Sequence, residues 1–167
     1  REEDKFHNKE ELKEYLKSEI EKQGENVVIK NLDVSLIEDL SELFKGCTNI
    51  RTLDLSGWKT SGVKNMHSMF CDCDFLEKLN VSKWNMSNAT NTSLMFGCCP
   101  NLKELDVSKW DTHNLRDTAA MFYGCSKLVD IPVDNWDVSN CRYFTNMFCD
   151  CSSLESLDVS KWDMSNA

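Results

Sequence analysis

Residues 105–128 read LDVSKWDTHNLRDTAAMFYGCSKL, and variants of this stretch recur along most of the chain with a constant 26-residue period. A fixed period of this length is typical of repeat proteins, in which units too small to bury a core alone stack on their neighbours. Three columns keep the period without an insertion. They are a Trp column (Trp58, Trp84, Trp110, Trp136, Trp162), a Cys column (Cys47, Cys73, Cys99, Cys125, Cys151) and a Phe column (Phe44, Phe70, Phe96, Phe122, Phe148).

Each repeat contains two hydrophobic patterns. Leu105 and Val107 alternate with polar residues, which predicts a short strand. The spacing of Val63, Met66 and Phe70 places them on one face of a helix. We therefore expect an α/β solenoid, a leucine-rich-repeat-like array of about five 26-residue strand–helix turns over residues 27–167.

Polar and small residues fit the expected ends of those helices. Ser residues lie at the positions where helix N-caps are expected. Gly or Asp comes directly before each of several residues of the Cys column, at the position where a helix C-cap adopts left-handed backbone. Pro132 removes a hydrogen-bond donor from an expected central strand. The Ser residues are Ser61, Ser87, Ser139 and Ser165, and the C-cap residues are Gly46, Asp72, Gly124 and Asp150.

Residues 1–26 lack the repeat. Asn8 followed by Glu11 resembles a capping box, an apolar stripe follows (Leu12, Tyr15, Leu16, Ile20), and Gly24 is a suitable helix end. We interpret residues 1–26 as a helix that caps the first turn of the solenoid. Because the sequence stops within a repeat, we also expect the array to continue beyond it.

Composition excludes several classes of protein. The 167 residues hold 19 Lys and Arg against 28 Asp and Glu, and a net charge of −9 does not suit nucleic-acid binding. No apolar run reaches the roughly 20 residues that a membrane span needs, so we expect no membrane insertion within this sequence. We find no P-loop, nucleophile elbow, paired-His motif or dinucleotide fingerprint, and therefore expect neither catalysis nor a cofactor.

The nine Cys allow two interpretations. Five belong to the repeat column and are expected to pack inward as small apolar side chains. Disulfides are the alternative, although an odd number leaves at least one thiol unpaired. Equivalent Cys on adjacent turns are also expected near or beyond the Cα–Cα distance that a disulfide can span. His67, Cys71 and Cys73 have a spacing that can hold zinc, but no other repeat shares it, so we expect no metal site.

The remaining columns divide into core and surface. The Trp column is interpreted as corner packing, with an exposed carbohydrate-binding stripe as the alternative. An acidic column at the strands (Asp54, Asp106, Asp158) would either attract a cation such as Ca²⁺ or be neutralised by neighbouring Lys. We favour neutralisation, together with bonds from Asp to nearby backbone amides.

The strings LDVSKWDTHNLRDTAAMFYGCSKL and LDVSKWDMSNA resemble the BspA-like leucine-rich-repeat surface proteins, a repeat family also met in mycoplasma lipoproteins. The resemblance covers about residues 27–167, and Ile131-Pro132-Val133-Asp134-Asn135 departs from it. It implies a cell-surface or secreted protein whose repeats bind host or bacterial partner proteins.

We therefore expect a non-catalytic protein-binding or adhesion module that presents a rigid repeated face; its ligand and oligomeric state are not apparent. The alternative is a cytoplasmic scaffold or inhibitory protein, for which reduced Cys would be natural. The expected face comprises two outward columns and the irregular fourth repeat. Its residues are Asp54, Asn80, Asp106, Pro132 and Asp158; Lys83, Lys109, Asn135 and Lys161; and Asp134, Arg142 and Tyr143.

Overall fold

The computed structural model describes residues 5–167; residues 1–4 of the predicted segment 1–26 lie outside the described residues. One helix, α1 (Lys9–Gln23), precedes four short strands, which are β1 (Asn26–Val28), β2 (Thr52–Asp54), β3 (Lys78–Asn80) and β4 (Glu104–Leu105). The strands form a parallel sheet in the order β1-β2-β3-β4. Each residue pairs with its equivalent in the next repeat, as Val27 does with Leu53, so residues of one column lie side by side.

Helix α1 occupies the predicted position. The Asn8 side chain accepts a hydrogen bond from the Glu11 amide at 2.9 Å, and Gly24 ends the helix at a φ of 73°. The Glu11 carboxylate accepts from the His7 amide, at 3.1 Å, so the Asn8 cap is present without the reciprocal half of a capping box. Leu12 and Leu16 are buried and belong to the same core as the repeats.

The chain beyond β1 forms a stack of five coils, each one repeat long, that lie beside one another. Parallel bridges outside the strands also pair each residue with its equivalent one repeat later, for example Asp39 with Asn65 and Asn91 with Asp117. We number the coils first to fifth in chain order, as residues 38–63, 64–89, 90–115, 116–141 and 142–167.

Each coil begins with a segment that we call the turn row, residues 40–47 in the first coil and the equivalent positions of every later coil. Its amides alternate between two directions. The amides of Leu40, Glu42, Phe44 and Gly46 donate to carbonyls of the second coil at 2.8–2.9 Å. Those of Leu43, Lys45 and Cys47 donate three residues back within the row, at 3.1–3.3 Å. Half of the row therefore hydrogen-bonds sideways, as a strand does.

The expected α/β solenoid of strand–helix turns is therefore wrong. Within residues 5–167, α1 is the only α-helix, and the expected helices are turn rows without the continuous i to i−4 bonds of a helix. Three of the four Ser residues predicted as N-caps stabilise turns instead. Ser87, Ser139 and Ser165 donate their amides to the side-chain oxygen two residues earlier, at 3.0 Å.

Left-handed backbone explains how the turn row bends. The predicted C-cap column has positive φ at Gly46, Asp72, Gly124 and Asp150, and Cys98 adopts the same conformation. A second column four residues earlier is also left-handed, namely Glu42, Ser68, Leu94, Ala120 and Asn146. Two left-handed residues per row interrupt any right-handed helix, which gives the physical reason for the error.

Columns of like side chains fill the core. Neighbouring Phe rings stack with centroids 5.4–5.8 Å apart from Phe44 to Phe148. The sheet ends at β4, and around Pro132 the chain continues in turns, with Asp130 bridging Ser156. The core therefore runs the length of the stack, beneath the sheet and the turn rows.

Candidate functional site

A shallow open groove of about 530 Å³ crosses the outer face of the parallel sheet. Alternation along the strands turns one residue in two toward this face; in β3, Lys78 and Asn80 are exposed while Leu79 is buried. The groove is lined by Val27, Val28, Thr52, Leu53, Asp54, Lys78, Leu79, Asn80, Ser82, Lys103, Glu104, Leu105, Asp106, Val129 and Asp130.

The groove carries both signs of charge in fixed places. Lys78 Nζ lies 3.3 Å from a Glu104 carboxylate oxygen, and Lys30 Nζ lies 3.5 Å from Asp54. These pairs are largely exposed and contribute little stability individually. Their charges consequently remain accessible to a partner, and a charged partner surface could exchange these ion pairs for its own.

The acidic column at the groove holds the turns that follow the strands. Asp106 Oδ1 accepts from the Ser108 hydroxyl at 2.6 Å and amide at 2.9 Å, and these bonds lower the Asp106 pKa. Partial burial opposes the shift at Asp54, but hydrogen bonds from Ser56 and the charge of Lys30 leave its pKa lowered too. Asn80 accepts the same two bonds from Ser82, so a residue of this column stabilises the turn after its strand even when it is uncharged.

The residues that the sequence predicted to form one binding face lie in separate regions of the structure. Asp54, Asn80 and Asp106 line the groove, whereas Lys83, Lys109 and Asp158 are exposed outside its lining. Asp134, Asn135 and Lys161 border another hollow of about 300 Å³, beside Trp136. Half-buried Pro132 lines neither hollow. Arg142 and Tyr143 are exposed at the start of the fifth coil.

Sequence reasoning missed two apolar residues of the groove. Val28 in β1 and Val129 in the fourth coil are 51% and 50% exposed. Val28 stands in the column of Asp54, which is the signal that could have identified it. Lys78 and Glu104 were also missed, although their outward positions follow from the alternation in their strands.

The Trp ladder (the five Trp of the repeat column) lies in the core and is bonded to the backbone. Each indole Nε1 donates to the carbonyl 29 residues earlier, at 2.7–3.0 Å, from Trp58 to Ile29 through to Trp162 and Val133. Trp58, Trp84, Trp110 and Trp136 are buried and Trp162 is half-buried. These rings are therefore not an exposed stripe for carbohydrate.

The Cys ladder (the five Cys of the repeat column) also hydrogen-bonds to the backbone of the preceding repeats. The thiols of Cys73, Cys99, Cys125 and Cys151 each donate to the Phe carbonyl 29 residues earlier, at 3.1–3.2 Å. All nine Cys are thiols in this structure. Burial raises the pKa of Cys71 and of Cys151 to about 11, which suppresses the reactive thiolate.

At His67, considered above as part of a zinc site, both ring nitrogens face hydroxyl groups. His67 Nδ1 lies 2.7 Å from the Ser93 hydroxyl, and Nε2 lies 3.1 Å from the Ser68 hydroxyl. Among residues 5–167 no three His, Cys, Asp or Glu side chains are grouped so that they could hold a metal ion. Both ring nitrogens thus have hydroxyl partners.

Comparison with the curated proteins and with the solved structures found no match. In the described part of the chain, no helix is long and apolar enough to cross a membrane. A family model does match, over residues 11–106 and again over residues 95–167, and its description is "Mycoplasma protein of unknown function, DUF285". The two matches together span nearly the whole sequence, so the chain belongs to this mycoplasma repeat family, DUF285.

Proposed function

We propose that the chain is a non-catalytic protein-binding module of a cell-surface or secreted protein, and that the groove across β1–β4 is its contact face. The partner is a protein on a host or bacterial surface. The likeness of its repeats to the BspA-like surface proteins supports the location, and the groove supports the mode of binding.

The groove is the observation that carries the proposal. Most of its lining comes from β1–β4 and the residues that follow them, which the parallel pairing holds in register, so these side chains are positioned before a partner arrives. A preorganised surface loses less conformational entropy on binding. Val28 and Val129 add apolar area at its two ends, and Lys78 with Glu104 provides charges that can select a partner.

A cytoplasmic scaffold or inhibitory protein is the second candidate, favoured by the Cys. Four ladder thiols donate to carbonyls, an arrangement that requires reduced Cys at these positions. A thiol count by mass spectrometry on denatured, alkylated protein from the native host tests the two. Nine free thiols would favour the cytoplasmic candidate, because oxidising compartments promote disulfides.

Cell binding tests the main proposal. The chain, fused to a fluorescent protein, is added to cultured epithelial cells and measured by flow cytometry. We expect saturable binding that unlabelled chain displaces and that trypsin treatment of the cells abolishes. Binding that survives trypsin would contradict a protein partner.

A charge reversal locates the contact face. Lys78→Glu puts two acidic residues together in the groove and is expected to weaken binding about tenfold. The matched control is Lys64→Glu, because Lys64 pairs with Glu38 at 3.2 Å on another surface and both pairs are similarly exposed. Equal binding by the two variants would remove the groove from the proposal.

A further inference from the structure

A second hollow, of about 370 Å³, lies where the chain passes from a turn row into the next strand. Its lining consists of two columns and shares no residue with the groove. Pairing of Thr52 with Asn26 and with Lys78, directly after the lining residues of each repeat, holds these columns in register. The lining residues are Glu25, Arg51 and Glu77 of one column, and Asn49, Phe75 and Asn101 of the other.

Phe75 supplies the apolar part of this hollow. Of the large apolar side chains in the described residues it is the most exposed, at 60%. The equivalent residues of the other coils are all polar, namely Asn49, Asn101, Lys127 and Ser153. Because those coils stack in the same way with a polar residue here, the packing of the repeats does not require the Phe75 ring.

Arg51 joins the two carboxylates of the hollow. Its Nε lies 3.6 Å from a Glu25 carboxylate oxygen, and its Nη1 lies 3.6 Å from one of Glu77. Nη2 donates to Asn26 Oδ1 at 3.1 Å, which fixes the guanidinium between the two acids. Both ion pairs are longer than charge-assisted hydrogen bonds, so the carboxylates can accept further donors.

The two amides at the hollow differ in their freedom. Asn101 Nδ2 donates to Asp74 O at 2.5 Å and its Oδ1 accepts from Lys127 Nζ at 2.7 Å, so this side chain forms a fixed wall. Asn49 is exposed, and its side chain makes no hydrogen bond within residues 5–167. The Asn49 amide can therefore both donate to a ligand and accept from it.

The charges of the hollow restrict the chemistry of its ligand. An acidic ligand would meet the carboxylates of Glu25 and Glu77, and a basic ligand would meet the guanidinium between them. A wholly apolar ligand would take these groups out of water without replacing their hydrogen bonds. The ligand that fits is neutral, with one apolar face and an edge of groups that both donate and accept.

We infer that this hollow binds a neutral saccharide. The C–H face of a hexopyranose ring packs on the Phe75 ring, and its hydroxyls donate to the carboxylates of Glu25 and Glu77 and accept from the Asn49 amide. The inference goes beyond the proposed function, because the saccharide site and the protein-binding groove have separate linings.

Saturation-transfer NMR with methyl β-D-galactopyranoside and the whole chain tests the inference. This sugar carries the hydrogens of C3, C4 and C5 on one face. We expect the strongest transfer at those three hydrogens, because they contact the Phe75 ring, and a dissociation constant of about 1 mM, as suits a ligand of this size.

Variants of two equally exposed aromatic residues decide the outcome. Phe75→Ala is expected to weaken binding at least tenfold, and Phe75→Trp to retain it. Tyr143→Ala is the matched control, because Tyr143 is 58% exposed and lies outside both hollows. Lys78→Glu, the groove variant, is expected to leave saccharide binding unchanged, which separates this test from that of the proposed function.

Three results would overturn the inference. They are an absence of saturation transfer from the native chain, equal binding by the native chain and Phe75→Ala, and tighter binding of galacturonic acid than of the neutral sugar. The last result would show that the hollow selects an acidic ligand.

Discussion

At the scale of single residues, the Trp ladder and the Cys ladder both donate hydrogen bonds to the backbone, one through an indole N–H and the other through a thiol. An indole N–H and a thiol each reach back 29 residues to a main-chain carbonyl of an earlier repeat. The parallel pairing gives these carbonyls no donor, and the side chain adds one, either alone or beside a local amide such as that of Trp84, which donates to Val81 O at 3.2 Å. The apolar remainder of each ring or thiol fills the space between coils.

Replacing Trp110 with Phe tests this role. The variant keeps an aromatic ring but removes the 3.0 Å bond to Val81 O, which retains only the Trp84 amide at 3.2 Å, and it creates a small cavity. We expect the free energy of unfolding to fall by about 2–4 kcal/mol in urea denaturation. Phe75→Leu is the control, because Phe75 is exposed and its loss should change stability by about 0.5 kcal/mol or less. Equal effects would contradict the hydrogen-bond argument.

The acidic turn residues make stability depend on pH. The folded pKa of Asp106 lies below its ordinary value of 3.8, mainly because the Ser108 hydroxyl and amide donate to it. Its stabilising contribution is therefore present above about pH 4 and is lost as pH falls through the folded pKa. Asp106→Asn keeps an acceptor, as Asn80 does in the second coil, but cannot titrate.

We consequently expect the stability difference between the wild type and Asp106→Asn to shrink as pH falls from about 7 to about 2. Urea unfolding midpoints at several pH values would measure it. A difference that stays constant with pH would show that the charge of Asp106 has no part in the turn.

At the scale of elements, the turn row shows what sequence patterns could and could not predict. The repeat period, the N-terminal helix and the left-handed positions of Gly46 and Asp72 follow from local chemistry. The apolar spacing of Met66, Phe70 and Cys73 suits a helix, but it equally suits a row of turns whose alternate amides bond sideways. The choice depends on bonds to the neighbouring coil, which is distant in sequence, so no local pattern reveals it.

Left-handed backbone at Ala120 gives a prediction about this element. Ala120 has a φ of 54°, a conformation that costs a residue with a Cβ atom about 1–2 kcal/mol. Ala120→Gly relieves that strain at a smaller entropic cost, so we expect net stabilisation of about 0.5–1 kcal/mol. The adjacent Ala119 is not left-handed, and Ala119→Gly should destabilise by a similar amount. Chemical denaturation of both variants measures the contrast; destabilisation by Ala120→Gly would contradict the strain.

At the scale of the whole molecule, function and stability both follow from position in the stack. The outward columns at Asp54, Asn80 and Asp106 could be predicted to share a face because their strands alternate. The sequence could not show that Lys83 and Lys109 lie outside the groove, because where the strands end is decided by pairing between coils. An inner coil has neighbours on both sides, whereas the fifth coil packs only against the fourth among the described residues.

The same substitution should therefore cost different amounts along the Trp ladder. Trp84 is buried and stacks on Trp58 with ring centroids 5.5 Å apart, so Trp84→Ala should cost about 3–5 kcal/mol. Trp162 is half-buried and lines an apolar hollow of about 230 Å³, so in the 167-residue chain Trp162→Ala should lower the free energy of unfolding roughly half as much.

Hydrogen exchange would show which coils lose stability in each of the two Trp variants. Within the 167-residue chain the fifth coil packs only against the fourth among the described residues, so a weakened fifth coil opens by breaking one interface. We expect Trp162→Ala to accelerate exchange within residues 142–167 and to leave β1–β3 protected, while Trp84→Ala accelerates exchange on both sides of the second coil. If Trp162→Ala instead accelerated exchange throughout the sheet, the coils would unfold as one cooperative unit.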